Sequence, residues 1–317
     1  MIRYNLQNKQ AGEIMDLNTI IKQIISLFII ALIGFYGRKK NIIDETLTKG
    51  LSKLLLEITL PLLIVSSFSF TFTPSMGSNI LKAFIYGLAI FIITPLFTKL
   101  LLIKTDKRKK NILQFALVFS NCGFMGFPLA QSVFGEEGII YTSIFNMFFN
   151  FFIWTYGVML YSEVNDFKEI KKVFKNPGII AVFIGLFVML FSIKIPIVLL
   201  STIKTVGGLT TPISMLIIGS LLAVTNFREA AKDINIYYGS FIKLLLIPIA
   251  LYFISVFFHE RSIVMKTFIL MQAMPAAAMT SIFAESFNKE KEFSALIVSF
   301  STLFSIVTLP IIIKFFL

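Results

Sequence analysis

Ser120-Asn121-Cys122-Gly123-Phe124-Met125-Gly126-Phe127-Pro128 lies inside a long apolar stretch, Ile112–Phe134. Two glycines and a proline within six residues do not suit a continuous helix. Glycine opens non-helical dihedrals, and proline removes a backbone donor and crowds the preceding turn. The stretch therefore predicts an interrupted helix. A second text, Gln272-Ala273-Met274-Pro275-Ala276-Ala277-Ala278, occupies the stretch Val264–Phe287 in the same way. Its proline is followed by small residues, which let two backbones approach closely.

The surroundings fix the solvent. Of 317 residues 56% are apolar and 15% charged, where a soluble domain needs about 25% charged residues. Mean hydropathy is +0.85. The composition predicts an all-α integral membrane protein. Ten apolar stretches read as spans: Leu17–Tyr36, Leu51–Phe70, Ile80–Ile103, Ile112–Phe134, Ile139–Tyr161, Ile179–Ile193, Thr205–Val224, Tyr238–Phe258, Val264–Phe287 and Phe293–Leu317. Residues 1–16 form a polar N-terminal tail without a small-residue cleavage site, unlike a signal peptide.

The prolines recur at one offset. Pro61 and Pro212 are 151 residues apart, Pro95 and Pro248 153, and Pro128 and Pro275 147. This divides the chain into a five-helix repeat over 17–161, a cytoplasmic linker over 162–178 and a second repeat over 179–317. Because five is odd, the second repeat enters the membrane from the opposite side, and the repeats are inverted. Interrupted helices at matching places in inverted repeats point to a transporter binding site. The fourth and ninth spans are thus predicted to break and cross.

Lys and Arg in alternate loops number seventeen on one side and seven on the other. The richer side, which includes Lys104–Lys110, is cytoplasmic by the positive-inside rule, which places both termini outside. The net charge of +12 is then a topology signal and not a nucleic-acid surface. Cys122 is the only cysteine and His259 the only histidine, which excludes an intrachain disulfide and a two-histidine zinc site. With no phosphate loop and no catalytic constellation, neither ATP-driven transport nor an enzyme is predicted.

No Asp or Glu falls between Ser120 and Ser132 or between Leu270 and Ala284. A cation site would place carboxylates there. Half-helix N-termini carry unsatisfied N–H groups at positive dipole ends and attract anions without a buried lysine. The candidate substrate site is accordingly Asn121, Gly123, Gly126, Pro128, Gln272 and Pro275. Asn146 and Asn150 share one face of the fifth span and join it as candidates, with interhelical hydrogen bonding as the alternative role. Glu57, in the second span one turn before Pro61, is a candidate for proton or ion coupling; its alternative is a helix-stabilising pair with Lys53. Lys243 is expected to snorkel to the cytoplasmic interface, and Trp154 to be a packing aromatic.

In the order and spacing of its motifs, the sequence resembles the auxin efflux carrier family, the bacterial and plant carriers related to PIN proteins. The resemblance rests on Asn121 with Met125-Gly126-Phe127-Pro128-Leu129, and on Gln272-Ala273-Met274-Pro275 followed by Phe283-Ala284-Glu285-Ser286-Phe287-Asn288. Ile153-Trp154-Thr155-Tyr156, Asn176-Pro177, Ser301-Thr302 and Leu309-Pro310 are also family-like. It implies a fold like that of bile acid symporters and sodium/proton antiporters. There, the first, second, sixth and seventh helices form a scaffold and the rest a mobile domain. It implies homodimers, carboxylate substrates (auxin-like, or small di- and monocarboxylates) and an elevator-type mechanism. The long loop that plant members often carry between the halves is not matched here. The expected function is secondary transport of a small organic anion across the cytoplasmic membrane, without a cofactor. The coupling ion, proton or sodium, is left open. A cation/proton antiporter or sodium-coupled symporter is the alternative, and a channel or membrane receptor a more distant one.

Overall fold

The computed structural model describes residues 17–68, 74–103, 105–161, 177–224, 233–287 and 289–317. The tail 1–16 and the linker 162–176 lie outside the described residues, as does the side chain of Trp154. All named elements among the described residues are helical. In chain order they are α1 Leu17–Lys39, α2 Glu45–Leu54, α3 Leu60–Ser67, α4 Pro74–Leu101, α5 Lys107–Val118, α6 Phe127–Phe152, α7 Val158–Tyr161 and α8 Pro177–Leu190. They continue with α9 Ile197–Gly208, α10 Thr210–Ala223, α11 Ile234–Phe241, α12 Ile247–Phe257, α13 Ile263–Ala273, α14 Met279–Ser286 and α15 Lys291–Phe316. Four helical runs, Gly77–Leu101, Ile197–Ala223, Ile234–Phe257 and Lys291–Phe316, are long and apolar enough to cross a membrane. Cys122–Phe152 with Thr155–Tyr161, bent by 41°, counts as a fifth if the pair is one span, although Gly135 at φ 64°, ψ −147° kinks α6 within it. The apolar helices Pro177–Leu190 and Ile263–Ala273 are shorter.

Proline shapes the helices in two ways. Pro61, Pro128 and Pro248 each follow a five-residue π-helical turn, over Leu55–Thr59, Cys122–Gly126 and Ile242–Leu246. A proline ring crowds the carbonyl four residues back. Widening the preceding turn relieves that crowding, and the N–H just before each proline bonds five residues back instead: Leu60 to Leu55, Phe127 to Cys122 and Ile247 to Ile242. Pro95 and Pro310 instead sit inside continuous helices. The matched prolines of the two halves therefore do not all have matched local structure.

Close packing follows the small residues. Helices α1 and α10 cross with backbones in contact, since a Cβ at Gly219 would run into the Ala31 carbonyl and one at Gly34 into Leu216. Helix α3 packs on α8 and α9, and α6 packs on α4 and α13. Large apolar side chains remain outside, among them Val198, Leu96 and Phe257 at 74%, 62% and 77% exposure. Water would not tolerate so much exposed apolar surface, and a bilayer does. Buried aromatics fill the interior around α5, α6 and α13, including Phe115, Phe119, Phe145 and Phe268.

Candidate functional site

Helix α5 stops at Val118, and Phe119 turns extended at φ −97°, ψ 107°. Helix α13 stops at Ala273, and Met274 is extended at φ −61°, ψ 149°. Pro275 disfavours the helical region at Met274, and the bridge described next fixes the extended alternative, whereas Leu60, Phe127 and Ile247 stay helical before their own prolines. The two extended pieces meet as a short antiparallel bridge, Ser120 with Ala276. The Asn121 N–H donates to the Pro275 carbonyl at 2.8 Å, and the Ala277 N–H donates to the Phe119 carbonyl at 2.9 Å. The Ala276 N–H donates to Ser301 Oγ of α15 at 3.1 Å. Each break thus satisfies backbone groups that the other leaves free, as an apolar surrounding requires.

The position of the first break corrects the sequence expectation. The chain leaves the helix at Phe119–Asn121, ahead of both glycines. Gly123 and Gly126 lie in the following π-turn, which runs straight on into α6, and that wider turn accommodates the ring of Pro128. Gly123 has open space around it, so bulk does not require a glycine there. Gly126 does have a steric reason: a Cβ would lie 2.7 Å from Met271 Sδ.

The amides are buried beside the bridge. Asn121, 5% exposed, caps the π-turn by accepting from the Phe124 N–H at 3.4 Å. Gln272 is fully buried, and its Oε1 accepts from Ser120 Oγ at 3.3 Å. Its Nε2 has no hydrogen-bond partner among the described residues. Asn146 reaches the same place, its Oδ1 accepting from Cys122 Sγ at 3.3 Å. Asn150 is half-buried one turn on and donates through Nδ2 to the Asn146 carbonyl at 2.7 Å. Glu57 is not brought here: it is exposed on the second span and forms no ion pair with Lys53.

The principal correction concerns Lys243. It does not snorkel outward. It is 1% exposed, and its Nζ donates to the Leu117 carbonyl at 2.9 Å, Ser120 Oγ at 2.6 Å and Gln272 Oε1 at 3.4 Å. The acid-free crossing therefore does contain a basic side chain. The π-turn ahead of Pro248 carries Lys243. The sequence signal was available, since Lys243 is the only charged residue of the stretch Tyr238–Phe258. Its place near the start of that stretch suggested the interface instead.

Two ion pairs involve none of the bridge residues. Lys109 Nζ meets Asp233 Oδ2 at 2.5 Å, and Lys82 Nζ meets Glu260 Oε2 at 3.0 Å. Burial alone would raise the Glu260 carboxyl. Donation from Tyr86 at 2.7 Å, the Ser262 N–H at 2.9 Å and Lys82 overcomes it and holds Glu260 down at about 2. A surface cavity of about 680 Å³ lies elsewhere, lined by Arg38, Lys39, Asn41, Asp44, Glu45, Ala223 and Val224, and shares no residue with the bridge.

The family described as "Membrane transport protein" matches this chain over residues 19–170 and 163–313. The chain is 21% identical to the uncharacterized transporter MJ1031 of Methanocaldococcus jannaschii, over 91% of this chain and 96% of that one. An uncharacterized transporter of Methanothermobacter thermautotrophicus is 21% identical over 91% and 95% of the two chains. The uncharacterized transporter YfdV of Escherichia coli is 21% identical over 92% and 96%.

Proposed function

Because the chain belongs to the membrane transport protein family, the auxin efflux carrier family that its motifs resemble, we propose that it is a secondary active transporter for a small organic anion, carried across the cytoplasmic membrane. One observation carries the choice of an anion. The crossed breaks hold a buried ammonium, Lys243, and an unpartnered buried amide donor, Gln272 Nε2, with no carboxylate among their partners. A buried donor without an acceptor costs about 1–3 kcal/mol, and a carboxylate oxygen would recover that. The π-turn that starts at Cys122 and helix α14 add positive ends nearby.

The architecture proposed around the site is ten spans in two inverted five-helix repeats, 17–161 and 179–317, joined by the linker. The family match in two successive parts is compatible with that division. The tight α1–α10 pair with α3, α8 and α9 makes the scaffold. The helices bearing the crossed breaks make the moving body, which carries the anion in an elevator-type, alternating-access cycle. The assembly is a homodimer with both termini extracytoplasmic. Asn121, Asn146, Asn150 and Gln272 supply polar contacts to substrate. Gly123, Gly126, Pro128 and Pro275 shape the backbone that frames it.

The test is a thermal-shift screen of purified protein against mono- and dicarboxylates, indole acids and bile acids, paired with amines of matched size. A saturable shift by a carboxylate, followed by its uptake into proteoliposomes, is the expected result. Shifts by amines alone would overturn the anion assignment.

A further inference from the structure

Lys243 is buried without a counter-carboxylate, and such a charge persists only where the surroundings supply an equal and opposite one. Here the supply is structural. Leu117 is the second-last residue of α5, and its carbonyl is one of the last-turn groups that the helix leaves unbonded. Gln272 is the second-last residue of α13. The Leu117 bond is to a backbone carbonyl at the end of α5, and the Gln272 bond is to a side-chain oxygen from the last turn of α13. Lys243 therefore lies at one half-helix C-terminus and beside a second. Each end carries roughly −0.5 of an elementary charge, so the two together nearly balance one lysine. Three N–H groups meet three oxygens, from Leu117, Ser120 and Gln272.

That oxygen set, at one negative helix end and beside a second, is what a small hard cation would also take. We infer that Lys243 is a tethered cation that fills the cation position of the crossed breaks, so that the site takes its anion without binding sodium there. The substitution has a geometric cause. Pro248 widens the turn over Ile242–Leu246, and that turn holds Lys243 against the breaks. With the C-terminal ends neutralised internally, the opposing N-terminal ends and Gln272 Nε2 are left facing an anion uncompensated. The inference rests on reading the crossed breaks as the substrate site. Its test contains no organic anion, so the two can fail separately.

The experiment is melting of the purified full chain in sodium chloride against choline chloride at equal ionic strength. The parent should melt alike in both. Lys243→Ala vacates the position and should lower the melting temperature by about 5 °C or more. Sodium or methylammonium, but not choline, should restore part of that loss in a saturable way. Ser120→Ala leaves the ammonium one acceptor short, and should cost about 2–4 °C with no sodium response. A saturable sodium shift in the parent would overturn the inference, as would a Lys243→Ala protein that melts with the parent. Should Lys243→Ala not fold, the parent and Ser120→Ala measurements decide alone. An unchanged melting temperature in Ser120→Ala then counts against the inference.

Discussion

Gln272→Glu is the substitution that separates an anion site from a cation site. The two side chains are nearly the same size, and Gln272 is fully buried, so packing is preserved. The existing Nζ–Oε1 contact of 3.4 Å becomes an ion pair with Lys243. The unpartnered Nε2 donor disappears. Removing that donor costs a bound carboxylate about 1–3 kcal/mol. A new carboxylate about 5 Å from the substrate's adds repulsion of about 3 kcal/mol at an effective dielectric near 20. The sum, about 4–6 kcal/mol, weakens affinity by roughly a thousandfold or more. The variant should still melt within about 3 °C of the parent, because the lysine keeps its acceptor. Titration calorimetry with the carboxylate found in the screen, together with melting curves, reads both quantities. Parental affinity in Gln272→Glu would refute the reasoning. A newly tightened response to sodium would instead favour a cation site.

Two further predictions concern the periphery. The Glu260 carboxyl is held at about 2, below its usual 4.5. Its contribution is therefore fully present above pH 4.5 and is lost as pH falls toward 2. Because Lys82 is partly exposed, we expect Glu260→Gln to cost only about 1 kcal/mol at neutral pH. Its melting temperature should converge on the parent's in acid, and parallel curves down to the acid limit would remove Glu260 from that role. Orientation is tested by a cysteine at exposed Arg108, with native Cys122 silent because it is buried. An impermeant maleimide should label Arg108→Cys only in opened cells, and labelling of intact cells would invert the topology.

The membrane class was legible in composition, since an apolar majority with few charges has no soluble solution. The two breaks were legible too, because proline with neighbouring glycine or small residues marks where a helix yields most readily. The first break was misplaced by a few residues. Glycine and proline show where a helix can yield. It yields at Phe119–Asn121 because the Pro275 and Ala277 backbone groups lie there to pair with it. Asn146 was drawn to the bridge by Cys122, a contact that no spacing within the fifth span encodes. Lys243 shows the limit most sharply. Sequence alone placed a lone lysine near the start of an apolar stretch, and the energetically ordinary reading of that is snorkelling. Only tertiary structure brings the last-turn carbonyl of Leu117 and the side-chain oxygen of Gln272, more than a hundred positions apart, onto one lysine. The balance of a buried charge is a sum over neighbours that a linear pattern does not contain.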